Sequence, residues 1–179
     1  MGPSVTSRLL AETDPATTGI VPDGWHDFFV AQAGATAALA GLVFVAVSIN
    51  LERILSFPRL PHRAAVTVAL FAGILLQAPL ALMGDVTLVA FGALVLGIAG
   101  GIEAFVVISG LRMGRDRANG RKELQLAAMY QLALLPQLVG GVLLVAGSGA
   151  GLYWVAAGYA VSTLVALTNA WVLLVEILR

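Results

Sequence analysis

The segment from Val86 to Leu111 is 26 residues long and holds one ionisable side chain, Glu103. As a helix rising about 1.5 Å per residue it reaches about 39 Å, more than the ~30 Å hydrocarbon core of a bilayer. A helix that is apolar all round has no face to offer water, so the segment predicts a transmembrane helix. Hydrophobic residues make up 59% of the chain and charged residues 11%, against ~25% charged in soluble domains. A chain of this length could not hide so much apolar surface in a water-soluble core.

Four further runs share this character. The expected spans lie at about 25–52, 62–83, 86–111, 121–146 and 152–178. They predict an all-α membrane protein, a single bundle of five transmembrane helices over residues 23–179. Residues 1–22 are polar and contain proline; they lack the apolar core of a signal peptide and read as a flexible extracytoplasmic tail. Asp23 is a candidate N-cap for the first span and Trp25 a candidate interfacial anchor. Pro58 and Pro61 stop that span from running into the second. Pro136 sits inside the fourth span and should kink it; breaking the span there would leave four crossings.

The loops set the expected orientation. Lys and Arg number three between the first two spans, five between the third and fourth, one at the C-terminus and one in the N-terminal tail. With five spans, nine of the ten basic residues fall on one side. The positive-inside rule makes that side cytoplasmic, with the N-terminus outside and the C-terminus inside. The densest cluster, Arg112, Arg115, Arg117, Arg121 and Lys122, reads as a topology determinant or as a docking surface for anionic lipid headgroups.

Orientation then allows depths to be compared. Glu103 lies in the cytoplasmic half of its span, and Asn169, Tyr130, Gln131, Thr67, Ser48 and Asn50 fall at similar depth on the other four. These seven residues predict one polar layer. Intramembrane carboxylates are costly and usually face a bundle interior or a water-filled cavity. Gly97, Gly100 and Gly101 beside Glu103 predict close approach by another helix, and the stripe Ser162, Asn169, Glu176 on the fifth span could face it. The layer is either a pore or ligand site or the hydrogen-bonded glue of helix packing. Small residues on the first span, Gly34, Ala38 and Gly41 in one row and Ala33, Ala37 and Gly41 in another, predict a packing face within one protomer or between protomers.

Several chemistries find no support. There is no cysteine, only two histidines (His26 and His62), and no HExxH, GxSxG, Walker or GxGxxG pattern. No catalytic residue, metal site, cofactor or nucleic-acid interface is expected, and the chain does not read as an enzyme. The expected partners are the lipid bilayer, possible anionic lipid headgroups and further copies of the chain. The sequence favours a homo-oligomer forming an ion or small-solute pathway around Glu103; the alternative is a non-transporting membrane module that binds lipid or a partner protein, with the polar residues as helix-packing glue.

The stretch Trp25–Leu55 carries a Trp-His-Asp-Phe-Phe entry, a Gly/Ala-rich middle and a Phe-Val-Ala-Val-Ser-Ile-Asn exit. It resembles the first helix of small integral membrane proteins of actinobacteria that have no assigned function. The resemblance implies a multi-pass protein of the bacterial cytoplasmic membrane and brings no site residues with it.

Overall fold

Long runs of Ala, Leu, Val and Gly with few breakers satisfy every backbone group internally as helix, the form an apolar solvent demands. A computed structural model describes residues 21–57, 60–84, 86–113 and 120–178, and the side chains of all of these except 112–113, 120–124 and 174–178. Among the described residues the chain is helical, without strands. A 3₁₀ turn at Asp23–Trp25 leads into α1 (His26–Ile49), followed by the short α2 (Leu51–Ser56), α3 (Leu60–Ala81), α4 (Leu88–Met113), α5 (Gly120–Val145) and α6 (Gly151–Leu178). All but α2 are long and apolar enough to cross a membrane. This is a multi-pass membrane protein.

Local chemistry explains most boundaries. Asp23 is not the cap: Trp25 occupies the N-cap position of α1 and no side chain bonds there. α1 ends at Asn50, ahead of the prolines, because the Asn50 side-chain amide donates to the Ala46 carbonyl at 2.9 Å and competes with the helix ladder. The chain restarts as α2 and turns Ile54 inward against Leu60, Ala64 and Leu173. At the end of α5, Gly147 has φ +80°. Ser148 N–H donates to Leu143 O and Gly147 N–H to Leu144 O, the paired bonds of a Schellman ending, in which glycine alone takes the left-handed position without strain. α5 runs unbroken through Pro136.

In the bundle, α3 packs on α4, α4 on α5, α5 on α6 and α6 back on α3, while α1 lies outside this ring, mainly against α3. α1 buries only Phe29, Thr36 and Val43, one residue every seven, the signature of a single narrow helix–helix seam. Glycine sets the closest crossings. A Cβ on Gly92 would lie 2.6 Å from Leu144 Cβ, and one on Gly140 would lie 2.8 Å from Gly151 O. Adjacent Gly140 and Gly141 therefore let α5 approach α6 on one side and α4 on the other.

The bundle has two unlike ends. At the tryptophan end Trp25 meets Tyr153 edge-on, with ring centroids 4.9 Å apart, and Phe29, Phe91 and Tyr159 fill the core. At the opposite, arginine end lie α2, the end of α4 and the start of α5.

Most of the expected packing face on α1 is not used within the protomer. Ala33 is half-buried against the core around Phe29, but Gly34, Ala37, Ala38 and Gly41 are exposed, and Gly34 and Gly41 have nothing within 4 Å of a built Cβ. A single seam with α3 takes only one side of the helix.

Candidate functional site

Glu103 is half-buried on α4. Gln131 of α5 donates its side-chain amide to Glu103 Oε1. The second oxygen, Oε2, is buried with no hydrogen-bond partner among the described residues. The glycines do not act as expected. Gly97 and Gly101 are exposed, and neither they nor Gly100 have anything within 4 Å of a built Cβ. No helix is drawn close on that face: α4 meets α5 at Gly92, and α3 seats Gly73 against Ile98 and Ile102 on another face of α4.

Tyr130, next to Gln131, points the other way, into the core, and is 2% exposed. Asn169 Nδ2 donates to its hydroxyl at 3.2 Å, and the Arg63 guanidinium lies beside the same oxygen. Consecutive residues on a helix lie about 100° apart. The Tyr130–Gln131 pair thus holds a cation on one side of α5 and a carboxylate on the other.

Four of the seven residues expected in one layer come together, as two pairs: Glu103 with Gln131, and Tyr130 with Asn169. The other three do not join them. Ser48 is exposed, Asn50 bonds its own helix, and Thr67, though buried, donates back to Arg63 O at 2.8 Å. Hydroxyls and short amides in helices often bond the preceding turn in this way. Ser162 and Asn169 of the α6 stripe face Gln137 and Tyr130 of α5 rather than Glu103. The side chains of Glu176 and of Arg112, Arg115, Arg117, Arg121 and Lys122 lie outside the described residues.

A second set of polar contacts sits nearer the tryptophan end. Gln137 Nε2 donates to Ser162 Oγ at 2.8 Å, and Ser162 Oγ donates to the Ala133 carbonyl at 3.1 Å. Tyr159 donates to Gln77 Oε1 at 3.1 Å, while Gln77 Nε2 is buried and has no partner among the described residues. Gln32 Nε2 of α1 donates to Thr163 Oγ1 at 3.1 Å and to Thr36 Oγ1 at 3.3 Å. Sequence reasoning missed the Gln32–Thr163 link. Its one signal is the Gln32/Thr36 pair at i, i+4, which puts both on one helix face.

α6 is therefore bonded to α1, α3 and α5 in turn. Between Ser162 and Asn169 it buries Val165 and Ala166, which pack in one apolar cluster with Leu70, Phe71 and Leu134. That cluster separates the two polar sets over about 10 Å of helix. Among the described residues no three His, Asp or Glu side chains converge as metal ligands would. No protein family, curated protein or solved structure matches the chain.

Proposed function

We propose that the protein is a non-transporting module of the bacterial cytoplasmic membrane that binds lipid or a partner protein, its arginine end cytoplasmic. One observation carries this reading. The interior polar side chains pair across helices and are split by the apolar cluster around Phe71 and Ala166, while the clefts beside α1, towards α6 and towards α3, are lined by apolar side chains. Among the described residues these polar groups form no continuous lining for water or ions. Polar pairs of this kind act as interhelical bonds, each worth on average about 0.6 kcal/mol in a membrane protein.

A second reading, an ion or small-solute pathway assembled between copies of the chain, has its own support. Glu103 keeps one oxygen without a partner, and the small residues of α1 and of α4 at Gly97 and Gly101 are exposed, where a second copy could pack closely.

Reconstitution into liposomes separates the two. The module predicts no flux above protein-free vesicles under gradients of protons, Na⁺, K⁺ or Cl⁻. It also predicts near-normal stability for Glu103→Gln and a loss of about 1 kcal/mol for Glu103→Leu, which strands the Gln131 amide. A steady flux that Glu103→Gln abolishes, or strips of its pH dependence, would overturn the module in favour of the pathway.

A further inference from the structure

α1 and α6 touch at the tryptophan end and part towards the arginine end. Trp25–Tyr153 and Gln32–Thr163 hold them together. Beyond that point a cleft of about 330 Å³ opens between them, lined by apolar side chains including Leu42, Val47, Ala170 and Trp171. Ile54, swung in by the break at Asn50, closes its arginine end together with Leu173. The cleft is thus bounded above and below and open sideways, to the bilayer. Its volume falls at the lower end of the range of small-molecule sites.

An apolar lining within a membrane span cannot hold a headgroup; it fits a hydrocarbon tail. A tail gains no hydrophobic free energy by leaving other tails, so packing in the cleft and charge at its arginine end must make the difference. Arg53, next in sequence to Ile54, is exposed at the end that Ile54 closes. The segment from Glu52 to Arg63 carries three arginines and one carboxylate. Counted along the sequence, the segments expected at this side hold nine Lys and Arg against four Asp and Glu, whereas those expected at the other side are acidic.

We propose that the α1–α6 cleft binds one acyl chain of an anionic phospholipid whose phosphate is held at Arg53. The proposal rests on the binding-module reading and names its ligand class. α1 packs along one narrow seam, so the lipid completes the contact that α1 and α6 do not make with each other.

Trp171 reports on the site. It lies 17 residues from Trp154 on α6, about 25 Å away and at the opposite end, and Trp25 also belongs to the far end. In a protein with Trp25→Phe and Trp154→Phe, tail-brominated phosphatidylglycerol added in dodecyl maltoside should quench Trp171 saturably, at about one lipid per protomer. Tail-brominated phosphatidylcholine should bind roughly fivefold more weakly, the effect of one arginine at a membrane surface. Ala46→Phe, which fills the cleft from α1, should remove the saturable component. Arg53→Gln, an exposed change that leaves the core intact, should equalise the two lipids.

Equal quenching by both lipids in the parent protein, or full binding after Ala46→Phe, overturns the proposal. So does an oligomer mass that Ala46→Phe lowers whether or not lipid is present, since the cleft would then seat a second copy. The two readings fail separately. Flux with selective lipid binding would remove the module and keep the site; no flux and no lipid selectivity would remove the site and keep the module.

Discussion

The glycines of this chain sort by what a methyl group would meet, and that sorting can be tested on stability. Gly92 of α4 faces α5. A Cβ there would lie 2.6 Å from Leu144 Cβ and 2.9 Å from both Gly141 O and Val145 N. Carbon atoms in good contact sit about 3.5–4.0 Å apart, so Gly92→Ala must part the helices by about 1 Å, and a gap of that size forfeits a quarter to a half of each contact well. None of the three neighbours can rotate away, because two are backbone atoms and the third is a Cβ. The overpacking cost should therefore sit towards the upper part of the ~1–3 kcal/mol range. Ala is the better helix former by roughly 0.5–1 kcal/mol, which leaves a net loss of about 1–2 kcal/mol.

Gly101→Ala is the counterpart. Nothing lies within 4 Å of its built Cβ, so only the propensity gain of roughly 0.5–1 kcal/mol remains. SDS titration of the protein in dodecyl maltoside, followed by circular dichroism, should place the two variants on opposite sides of wild type, about 1.5–3 kcal/mol apart. Variants that move together, or differ by less than about 0.5 kcal/mol, would refute the crossing geometry. A Gly101→Ala loss that grows with protein concentration would instead show a second copy packing on that face.

Two further outcomes follow from the same structure. Tyr159→Phe leaves both polar ends of the buried Gln77 amide without a protein partner and should lower stability by about 1 kcal/mol in the same titration; an unchanged midpoint would show that the Tyr159–Gln77 bond contributes nothing. Single cysteines, Leu10→Cys and Ala118→Cys, should label from the periplasm and from the cytoplasm respectively in this cysteine-free chain; labelling from one side would remove the orientation assigned from the loop charges.

The helices were legible because length and apolarity decide them locally, and the observed α1, α3, α4, α5 and α6 lie close to the expected bounds. Pairing was legible only in part. Depth along a helix can be counted from the sequence, which is why Glu103 and Gln131, or Tyr130 and Asn169, could be placed at one level. Rotation about the axis cannot be counted when a helix is apolar on every side, since no hydrophobic face marks the inward direction. Gly97 and Gly101 look the same in sequence as Gly140 and Gly141, yet the first pair faces outward and the second makes two crossings. Ser48 and Thr67 failed for another reason. A hydroxyl can be exposed, or satisfied by its own helix, and spacing does not reveal which.

The layout of the polar pairs bears on what they do. Leu, Val and Ala surfaces in lipid slide past one another with little penalty, because lipid tails solvate them as well as protein does. Directional bonds fix the register that such surfaces leave open. α6 is bonded to α1 through Thr163, to α3 through Tyr159, and to α5 through Ser162 and Asn169. Those four residues span only eleven positions of one helix. A helix bonded to three neighbours over so short a length acts as the rigid post of the bundle. α1 is held to it by the Gln32 bond and by aromatic contacts at the tryptophan end, and parts from it towards the arginine end. The α1–α6 cleft opens there, with Arg53 exposed next to Ile54 at its closed end. The polar residues thus place the open apolar surface at one defined position, which is the arrangement a lipid-binding module needs and a water-filled pathway does not.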